Sequence, residues 1–297
     1  MKFTLSRIRE LCVHYTDRAL FKYYRGKLAS KGRGTSMSDD NAYPAVCYMA
    51  SRNEYAFRKF RRNSTYNDIL EHVSGQQGQE YLDVIRQNGQ LKFSDGEWED
   101  FRRNDLYGNP VVFPYEINGR IMEFSPTTLR YAKVLQDIAV LFDEKRIRSV
   151  AEIGIGYAGQ CRILTGFFKG IEKYSLFDLP EVLGLAERYL GKFGKGTATG
   201  IRFIDGTRMD EACTDGNYDL VISNYAFSEL IRSIQDSYLD KVILKSGAGY
   251  ITWNSLSCDK LDGYSLEELL EKIPGSKVIA EEPLTKEKNC IIVWGTR

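Results

Sequence analysis

The chain has 297 residues, of which 43% are hydrophobic and 27% charged, and its formal net charge is +1. This composition excludes a disordered chain, because it supplies enough apolar side chains for a core. A net charge near zero gives no global attraction to nucleic acid or to a membrane, so neither is an expected partner.

The six cysteines are scattered, with no C-x-x-C pair among them. This spacing argues against a zinc site and against a small disulfide scaffold. No apolar run approaches the roughly 20 residues needed to span a bilayer. The first ten residues carry charges where a signal peptide would need an apolar stretch. A cytoplasmic protein with free thiols is therefore expected.

The first part of the chain, 1–124, is predicted to be a mainly helical region for substrate binding, a lid or oligomerisation. Apolar spacing predicts a helix to about residue 30 and further helices over 41–88. The polar, glycine-containing segment 31–40 between them is typical of a mobile loop or lid. In 1–62 basic residues outnumber acidic ones roughly threefold, which fits either a solvated face or an anionic substrate. Such helices could also support a homodimer.

The second part, 125–297, is predicted to be an α/β domain. Ser125-Pro126 is a good helix start, and the helix is expected to run to about Phe142. Strands and helices then alternate, which favours a parallel sheet covered by helices. The last two strands are too close for a crossover and should form an antiparallel hairpin. The predicted strands are 148–153, 173–178, 200–205, 218–224, 249–254, 277–281 and 290–294.

A glycine-rich turn follows the first of these strands, with Gly154, Gly156 and Gly159 before a helix. This G-x-G-x-x-G spacing, with Asp178 about 20 residues further on, also fits a dinucleotide site. The acids at the carboxyl ends of the first three strands favour a different ligand. They are Glu152, Asp178 and Asp205, and Glu152 would repel a pyrophosphate. An acidic site suits a cationic, phosphate-free ligand such as S-adenosylmethionine.

These motifs resemble those of class I S-adenosylmethionine-dependent methyltransferases. Glu-Ile-Gly-Ile-Gly-Tyr-Ala-Gly at 152–159 resembles their first motif, Phe-Asp-Leu-Pro at 177–180 their ribose-binding strand end, and Asp205-Gly206 their adenine-side acid. The resemblance implies a Rossmann-like fold with a mostly parallel seven-stranded sheet and a terminal antiparallel hairpin. It covers about the last two-thirds of the chain.

Three further segments resemble a family of sugar O-methyltransferases, which includes enzymes that methylate deoxysugars of antibiotics and surface glycans. They are 224–230, 125–131 and the Arg-Asn-Asp to Gly-Asn-Pro segment within 93–110. The resemblance implies a sugar or glycan acceptor, with S-adenosylhomocysteine as the other product. The residues it places at the cofactor are Glu152, Gly154, Gly156, Gly159, Asp178, Leu179, Asp205, Gly206, Asn224 and Tyr225.

Removing the proton of a weakly nucleophilic sugar hydroxyl during attack would assist the transfer. Glu229 is the leading candidate base, because it follows Tyr225 by four residues and could share a helical face with it. Asp105 and Asp100 are the alternatives, provided that 93–110 folds over the site rather than forming a surface helix and turn. His14 and His72 are interpreted as surface or packed histidines. The candidate substrate-binding residues are Arg102, Arg103, Asn109, Arg130 and Tyr131.

Several other functions stay open from the sequence. The acceptor could be a phenol or polyketide, and a nucleic-acid methyltransferase or a non-catalytic cofactor-binding scaffold is less favoured. The Asn-Pro-Pro-Tyr type of motif typical of amino-group methylation is absent after the fourth strand, where Asn224-Tyr-Ala-Phe stands. A divalent metal bridging sugar hydroxyls is compatible with the chemistry, but no ligand cluster indicates one.

Overall fold

A computed structural model describes residues 5–28, 36, 42–194, 200–209, 217–255, 258 and 260–297. The predicted lid at 31–40 lies outside these residues except for Ser36, which forms an isolated antiparallel bridge with Leu230. No helix within the described residues is both long and apolar enough to cross a membrane.

The helices and strands are labelled here in chain order. The α-helices are α1 Leu5–Leu28, α2 Ala42–Arg52, α3 Glu54–Phe57, α4 Ser64–Tyr66, α5 Gly75–Gln87, α6 Asp95–Arg102, α7 Pro126–Leu141, α8 Gly159–Phe167, α9 Pro180–Gly191, α10 Arg232–Lys241 and α11 Leu266–Lys272. The strands are β1 Phe113–Ile117, β2 Arg120–Phe124, β3 Ser149–Ile153, β4 Lys173–Asp178, β5 Ile201–Asp205, β6 Tyr218–Asn224, β7 Ser246–Trp253, β8 Lys277–Ala280 and β9 Cys290–Trp294.

Seven strands form the central sheet in the order β5-β4-β3-β6-β7-β9-β8. Strands β3 to β7 pair in parallel, and β9 pairs antiparallel with both β7 and β8. The predicted Rossmann-like α/β fold, with its mostly parallel seven-stranded sheet and terminal antiparallel hairpin, is confirmed. The order reverses between β3 and β6, because the chain builds outward from β3 to one side and then returns to the other.

The sheet is buried on both faces. Successive strand residues point to opposite sides of the sheet, and each side contributes to its own core cluster. Val150 and Leu220 join one core cluster, whereas their neighbours Ala151 and Val221 join the other. The first cluster also takes side chains from α2, α5 and α7 to α9, and the second from α10 and α11. Parallel strands covered on both faces read as continuous apolar runs, which explains why the sequence located them well.

The region before α7 is mainly helical, as predicted, but it also contains the β1–β2 hairpin, which was not foreseen. Asn118 and Gly119 form its two-residue turn, with φ of +50° and +76°. An Asn-Gly pair between alternating apolar residues is a strong hairpin signal. The first core cluster takes residues from both sides of the predicted domain boundary at 124/125, so that boundary stays a prediction.

Helix α7 begins where the sequence placed it. Ser125 caps it by accepting a hydrogen bond from the Thr128 N–H, and Pro126 occupies the first helical position. The helix predicted from about 227 to 243 is wrong in its first turns. Phe227–Glu229 forms a short 3₁₀ helix, and the α-helix starts only at Arg232.

Candidate functional site

A cavity of about 810 Å³ opens at the carboxyl ends of β3, β4 and β6. This is the point where the strand order reverses, and in open α/β sheets ligands bind at such a point. The cavity lies at the upper end of the roughly 300–1,000 Å³ typical of small-molecule sites. Its floor comes from the central sheet. Its other walls come from the N-terminal helices and from the loop between β8 and β9.

The glycine turn after β3 forms part of the cavity floor. Gly154 and Gly156 have φ of +76° and +53°, which favour glycine, and both line the cavity. A Cβ on Gly154 would overlap the Cβ of Ala226, and one on Gly156 would lie 2.8 Å from the Leu70 side chain. The turn can therefore pack against Ala226 and Leu70 only because both residues lack a side chain.

Gly159 has a different place from the one predicted. It does not line the cavity; a Cβ there would lie 2.6 Å from the Tyr131 ring and 2.7 Å from the Tyr157 ring. Its carbonyl accepts a hydrogen bond from the Asn104 amide at 3.0 Å. The third glycine of the motif thus allows close packing at the start of α8, and its assignment to the cofactor is corrected.

Glu152 and Asp178 bring two acids to the same end of the sheet. Glu152 is 2% exposed and accepts a hydrogen bond from the Tyr174 hydroxyl at 2.6 Å. Burial raises the pKa of Glu152 to about 8, against the opposing effect of that hydrogen bond. The Asp178 oxygens accept from the N–H groups of Ile155 at 2.8 Å and Leu179 at 2.7 Å. Burial nevertheless raises the pKa of Asp178 to about 6.

The turn after β5 reaches the cavity through Gly206 and Thr207 rather than through Asp205. The Asp205 carboxylate accepts hydrogen bonds from the Thr207 N–H at 2.9 Å and the Thr207 hydroxyl at 2.6 Å. The Gly206 N–H donates to the Asp178 carbonyl at 2.9 Å. Asp205 therefore stabilises the turn and does not itself line the cavity, and its predicted role at the adenine stays a prediction.

The end of β6 contributes Asn224 and Tyr225. The side-chain oxygen of Asn224 is buried in the cavity wall without a hydrogen-bond partner among the described residues. Tyr225 has φ of +67°, and its hydroxyl donates to the Glu281 carboxylate. A buried oxygen without a donor is costly, so Asn224 indicates where a ligand should donate a hydrogen bond.

Glu229 also lines the cavity, but the reason given for choosing it is wrong. Tyr225 has a left-handed backbone and Glu229 ends a 3₁₀ helix, so the two residues do not share a helical face. The Asn254 amide donates to one Glu229 oxygen at 2.9 Å. Burial raises the pKa of Glu229, and the Asn254 hydrogen bond opposes this.

The alternative bases Asp105 and Asp100 lie outside the cavity, and the expectation that 93–110 folds over the site is corrected. Asp105 pairs with the fully buried Arg61 at 2.9 Å and accepts the Ser125 N–H at 2.7 Å. Asp100 pairs with Arg162 at 3.3 Å. Both carboxylates stabilise the packing of the helical region against α7 and α8.

Three predicted substrate-binding residues are likewise outside the cavity. Arg102 pairs with Glu99 at 2.8 Å, and Arg103 with Asp100 at 3.2 Å, both on the surface of the 95–106 segment. The carbonyl of Asn109 accepts a hydrogen bond from the Arg62 guanidinium at 2.9 Å. Their placement near the acceptor is therefore corrected, whereas the other two, Arg130 and Tyr131, do line the cavity.

Sequence reasoning missed the walls that come from distant parts of the chain. From the N-terminal region these are Asp68 to Leu70, His72, Gln77 and Tyr81, and from the β8–β9 loop Thr285, Lys286 and Asn289. Burial, followed by the charge of Arg130, lowers the pKa of His72. The described residues contain no group of three or more His, Cys, Asp or Glu side chains that could hold a metal ion.

No protein-family model matches the chain, and the search of curated proteins also gives no match. Among solved structures, one described as PigF with SAH has a TM-score of 0.43 at 11% identity and covers 99% of both chains. The methyltransferase domain of bacterial CtHen1 has a TM-score of 0.42 at 12% identity, covering 55% of this chain and 96% of that one. M. capricolum TrmK with S-adenosylhomocysteine has a TM-score of 0.36 at 16% identity, covering 55% and 66%. At these values the likenesses assign no ligand or activity to this chain.

Proposed function

We propose that this chain is an S-adenosylmethionine-dependent O-methyltransferase that acts on a hydroxyl of a sugar or glycan. The observation that carries the proposal is the acidic, partly unsatisfied end of the cavity. Glu152 and the unpaired oxygen of Asn224 lie beside the glycine turn, and Asp178 lies on the next strand. A ligand with a positive charge and hydrogen-bond donors fits this set, and a pyrophosphate does not.

The residues of this end would divide the cofactor between them. Asp178 would accept hydrogen bonds from the two ribose hydroxyls, and Leu179, Gly206 and Thr207 would border the adenine. Glu152 and Asn224 would receive the ammonium group. S-adenosylmethionine supplies a methyl group already activated on a sulfonium, so the chain's main task is to align the acceptor oxygen.

The remaining walls would hold the acceptor. Tyr225 and Glu229 lie beyond the end of β6 and Asn254 follows β7, and Tyr81 and Lys286 line the same cavity. Hydroxyl, amide and carboxylate groups at this density suit a ligand that carries several hydroxyls, which favours a sugar. The Asn254 hydrogen bond occupies one Glu229 oxygen and leaves the other to take the proton of the attacking hydroxyl.

A phenol or polyketide acceptor is the second candidate. Its support is the aromatic lining, since Tyr43, Tyr81, Tyr131 and Tyr225 all border the cavity. Flat rings stack on such walls as readily as sugars do. The basic bias of the N-terminal region would suit a nucleotide-linked sugar in the first case and has no counterpart in the second.

Two measurements test the proposal. Titration calorimetry should detect S-adenosylhomocysteine binding, and a fluorescence assay of S-adenosylhomocysteine release should respond to a panel of free, nucleotide-linked and glycosidic sugars. Release with phenols alone would replace the sugar acceptor by the second candidate. Absence of binding to both S-adenosylmethionine and S-adenosylhomocysteine would remove the methyltransferase proposal. Glu229→Gln should lower kcat by about 10²–10⁴-fold without weakening cofactor binding.

A further inference from the structure

Arg130 presents a positive charge to the cavity without a matching carboxylate. It lies in the second turn of α7, and its guanidinium donates to the Leu70 carbonyl at 3.2 Å. Its central carbon lies 5.8 Å from the centre of the Tyr131 ring. Among the residues that the structure describes, no Asp or Glu oxygen lies within 4.0 Å of its nitrogens. The Leu70 carbonyl and the Tyr131 ring are its close contacts, and Tyr81, Tyr225 and Glu71 act on it electrostatically from further away.

Glu71, the acid whose charge acts on Arg130, is already paired with another arginine. Its two oxygens accept hydrogen bonds from the Arg61 guanidinium at 2.7 and 3.0 Å, and one of them also accepts from Thr127 at 3.3 Å. Arg61 in turn pairs with Asp105. One arginine and two carboxylates leave this network with one negative charge, and Glu71 acts on Arg130 at long range. The Arg130 guanidinium makes no ion pair with either acid within 4.0 Å, so its N–H groups other than the one bonded to Leu70 are available to whatever occupies the cavity.

Neutral hydrogen-bond donors line the same cavity as this cation. Gln77 lines the same cavity, and its side-chain oxygen accepts the Ser74 N–H at 2.8 Å in a capping box, which leaves its NH₂ group to donate. Tyr81 borders the cavity from the same helix, α5. A guanidinium flanked by neutral donors, with no competing carboxylate, is the usual construction of a carboxylate or phosphate site.

We propose that Arg130, assisted by Gln77, forms an anion subsite that binds a carboxylate or phosphate group of a ligand in this cavity. Two sources can supply that group: the methionine carboxylate of the cofactor, or an acidic group on the acceptor, such as a uronic acid or the diphosphate of a nucleotide sugar. The identity of these sources rests on the proposed function, whereas the subsite itself rests only on the geometry of Arg130. Partly buried cations are stabilised by such a partner.

The first test locates the source on the cofactor. Titration calorimetry would compare S-adenosylhomocysteine with its decarboxylated analogue in the wild type, Arg130→Gln, Arg130→Lys and the control Arg102→Gln. If the cofactor supplies the anion, Arg130→Gln weakens S-adenosylhomocysteine by about 10–100-fold and leaves the analogue unchanged. Arg130→Lys retains part of the affinity, and Arg102→Gln, outside the cavity, behaves as the wild type.

The second test locates the source on the acceptor. With S-adenosylhomocysteine saturating, saturation-transfer NMR would compare glucuronate with glucose, and UDP-glucose with free glucose. An acceptor anion predicts that the wild type prefers the charged member of each pair, and that Arg130→Gln removes the preference while its affinity for S-adenosylhomocysteine is unchanged.

Inorganic phosphate separates the subsite from the proposed function. It should raise the melting temperature of the wild type and of Arg102→Gln more than that of Arg130→Gln, even if no adenosyl ligand binds. The proposal is overturned if a folded Arg130→Gln equals the wild type in all three comparisons. If that variant does not fold, unchanged binding of all the charged probes to Arg130→Ala and Arg130→Lys, or the lack of any anion effect on the wild type, overturns it instead.

Discussion

Two carboxylates, Glu152 and Asp178, lie at the ends of neighbouring strands on the cavity floor, and their protonation governs which ligands the site can accept. Both are shifted in the same direction, because removing a carboxylate from water disfavours its charged form. A cationic ligand would reverse that shift by favouring the ionised form. At the scale of single residues, ligand binding and proton release are therefore coupled in this site.

The pKa of Glu152 predicts how stability depends on pH in the ligand-free protein. Folded Glu152 keeps its proton up to about pH 8, whereas an unfolded glutamate loses it near 4.5, so between these values the unfolded state binds fewer protons. The free energy of unfolding should thus fall as pH rises from 4.5 to 8, by up to about 1.4 kcal/mol per pH unit. Asp178 adds to this fall up to about pH 6.

Urea unfolding at pH 6, 7 and 8 measures that slope. Glu152→Gln should flatten it above pH 6, because the amide does not titrate, and it should also weaken S-adenosylmethionine binding. Glu172→Gln is the control, since the Glu172 side chain is 72% exposed. A slope in Glu152→Gln equal to that of the wild type would mean that Glu152 does not hold the proton.

Asp178 and Asp205 end neighbouring strands, and substituting each of them gives a matched pair of variants for testing cofactor binding. Asp178→Ala should weaken the binding of S-adenosylhomocysteine by about 10–100-fold, because it removes the acceptor proposed for the ribose hydroxyls. Asp205→Ala, at the paired position on the next strand but outside the cavity, should change it by less than about threefold. Titration calorimetry decides: similar losses in both variants would contradict the assignment of Asp178 to the ribose.

At the scale of elements, a tight turn explains why the mainly helical N-terminal region contains a β-hairpin. The β1–β2 hairpin depends on the left-handed backbone of Asn118 and Gly119. Gly96, by contrast, lies in helix α6, and a Cβ added there would have no atom within 4 Å. The same substitution should consequently have opposite effects at these two glycines.

Gly119→Ala should lower the free energy of unfolding by about 1 kcal/mol, because alanine is strained at a φ of +76°. Gly96→Ala should raise it by about 0.5–1 kcal/mol, because alanine favours a helix. Urea unfolding of both variants at one pH checks the two signs. Stabilisation by Gly119→Ala would show that the turn adopts another backbone conformation in solution.

Across the whole molecule, a buried polar network joins the N-terminal helices to the sheet domain. Arg61, whose side chain is 0% exposed, lies between Glu71 and Asp105, which are 5% and 6% exposed, and it also donates to Ser125 at the start of α7. Glu71 immediately precedes the cavity residue His72. The network therefore fixes the segment that forms one cavity wall.

Removing the cation should be costly, because it leaves two buried carboxylates without a partner. Arg61→Ala is expected to lower the free energy of unfolding by about 3–5 kcal/mol. Arg58→Ala breaks an exposed pair with Glu54 and should cost at most about 1 kcal/mol. Chemical denaturation of both variants tests this, and losses of similar size would indicate that the Arg61 network contributes no more than a surface pair.

The sequence was most informative where local chemistry determines structure. The seven apolar strands, the Ser125-Pro126 helix start and the glycine turn are local patterns, and the structure reproduces them. The segment 93–110 failed because its charged residues find partners, such as Arg61 and Arg162, that lie 44 and 62 positions away in the chain. His72, Gln77 and Tyr81 were missed for the same reason: nothing in their local sequence indicates that they line the same cavity as Gly156 and Asn224.

The loop between β8 and β9 and the segment around His72 both line the cavity, although they lie far apart in the chain. The central strands between them hold the groups proposed for the cofactor. New acceptors could therefore arise by replacing two peripheral surface segments while the strand ends stay unchanged. Exchanging the 285–289 loop alone should therefore change which acceptor is methylated, and the affinity for S-adenosylmethionine should stay the same.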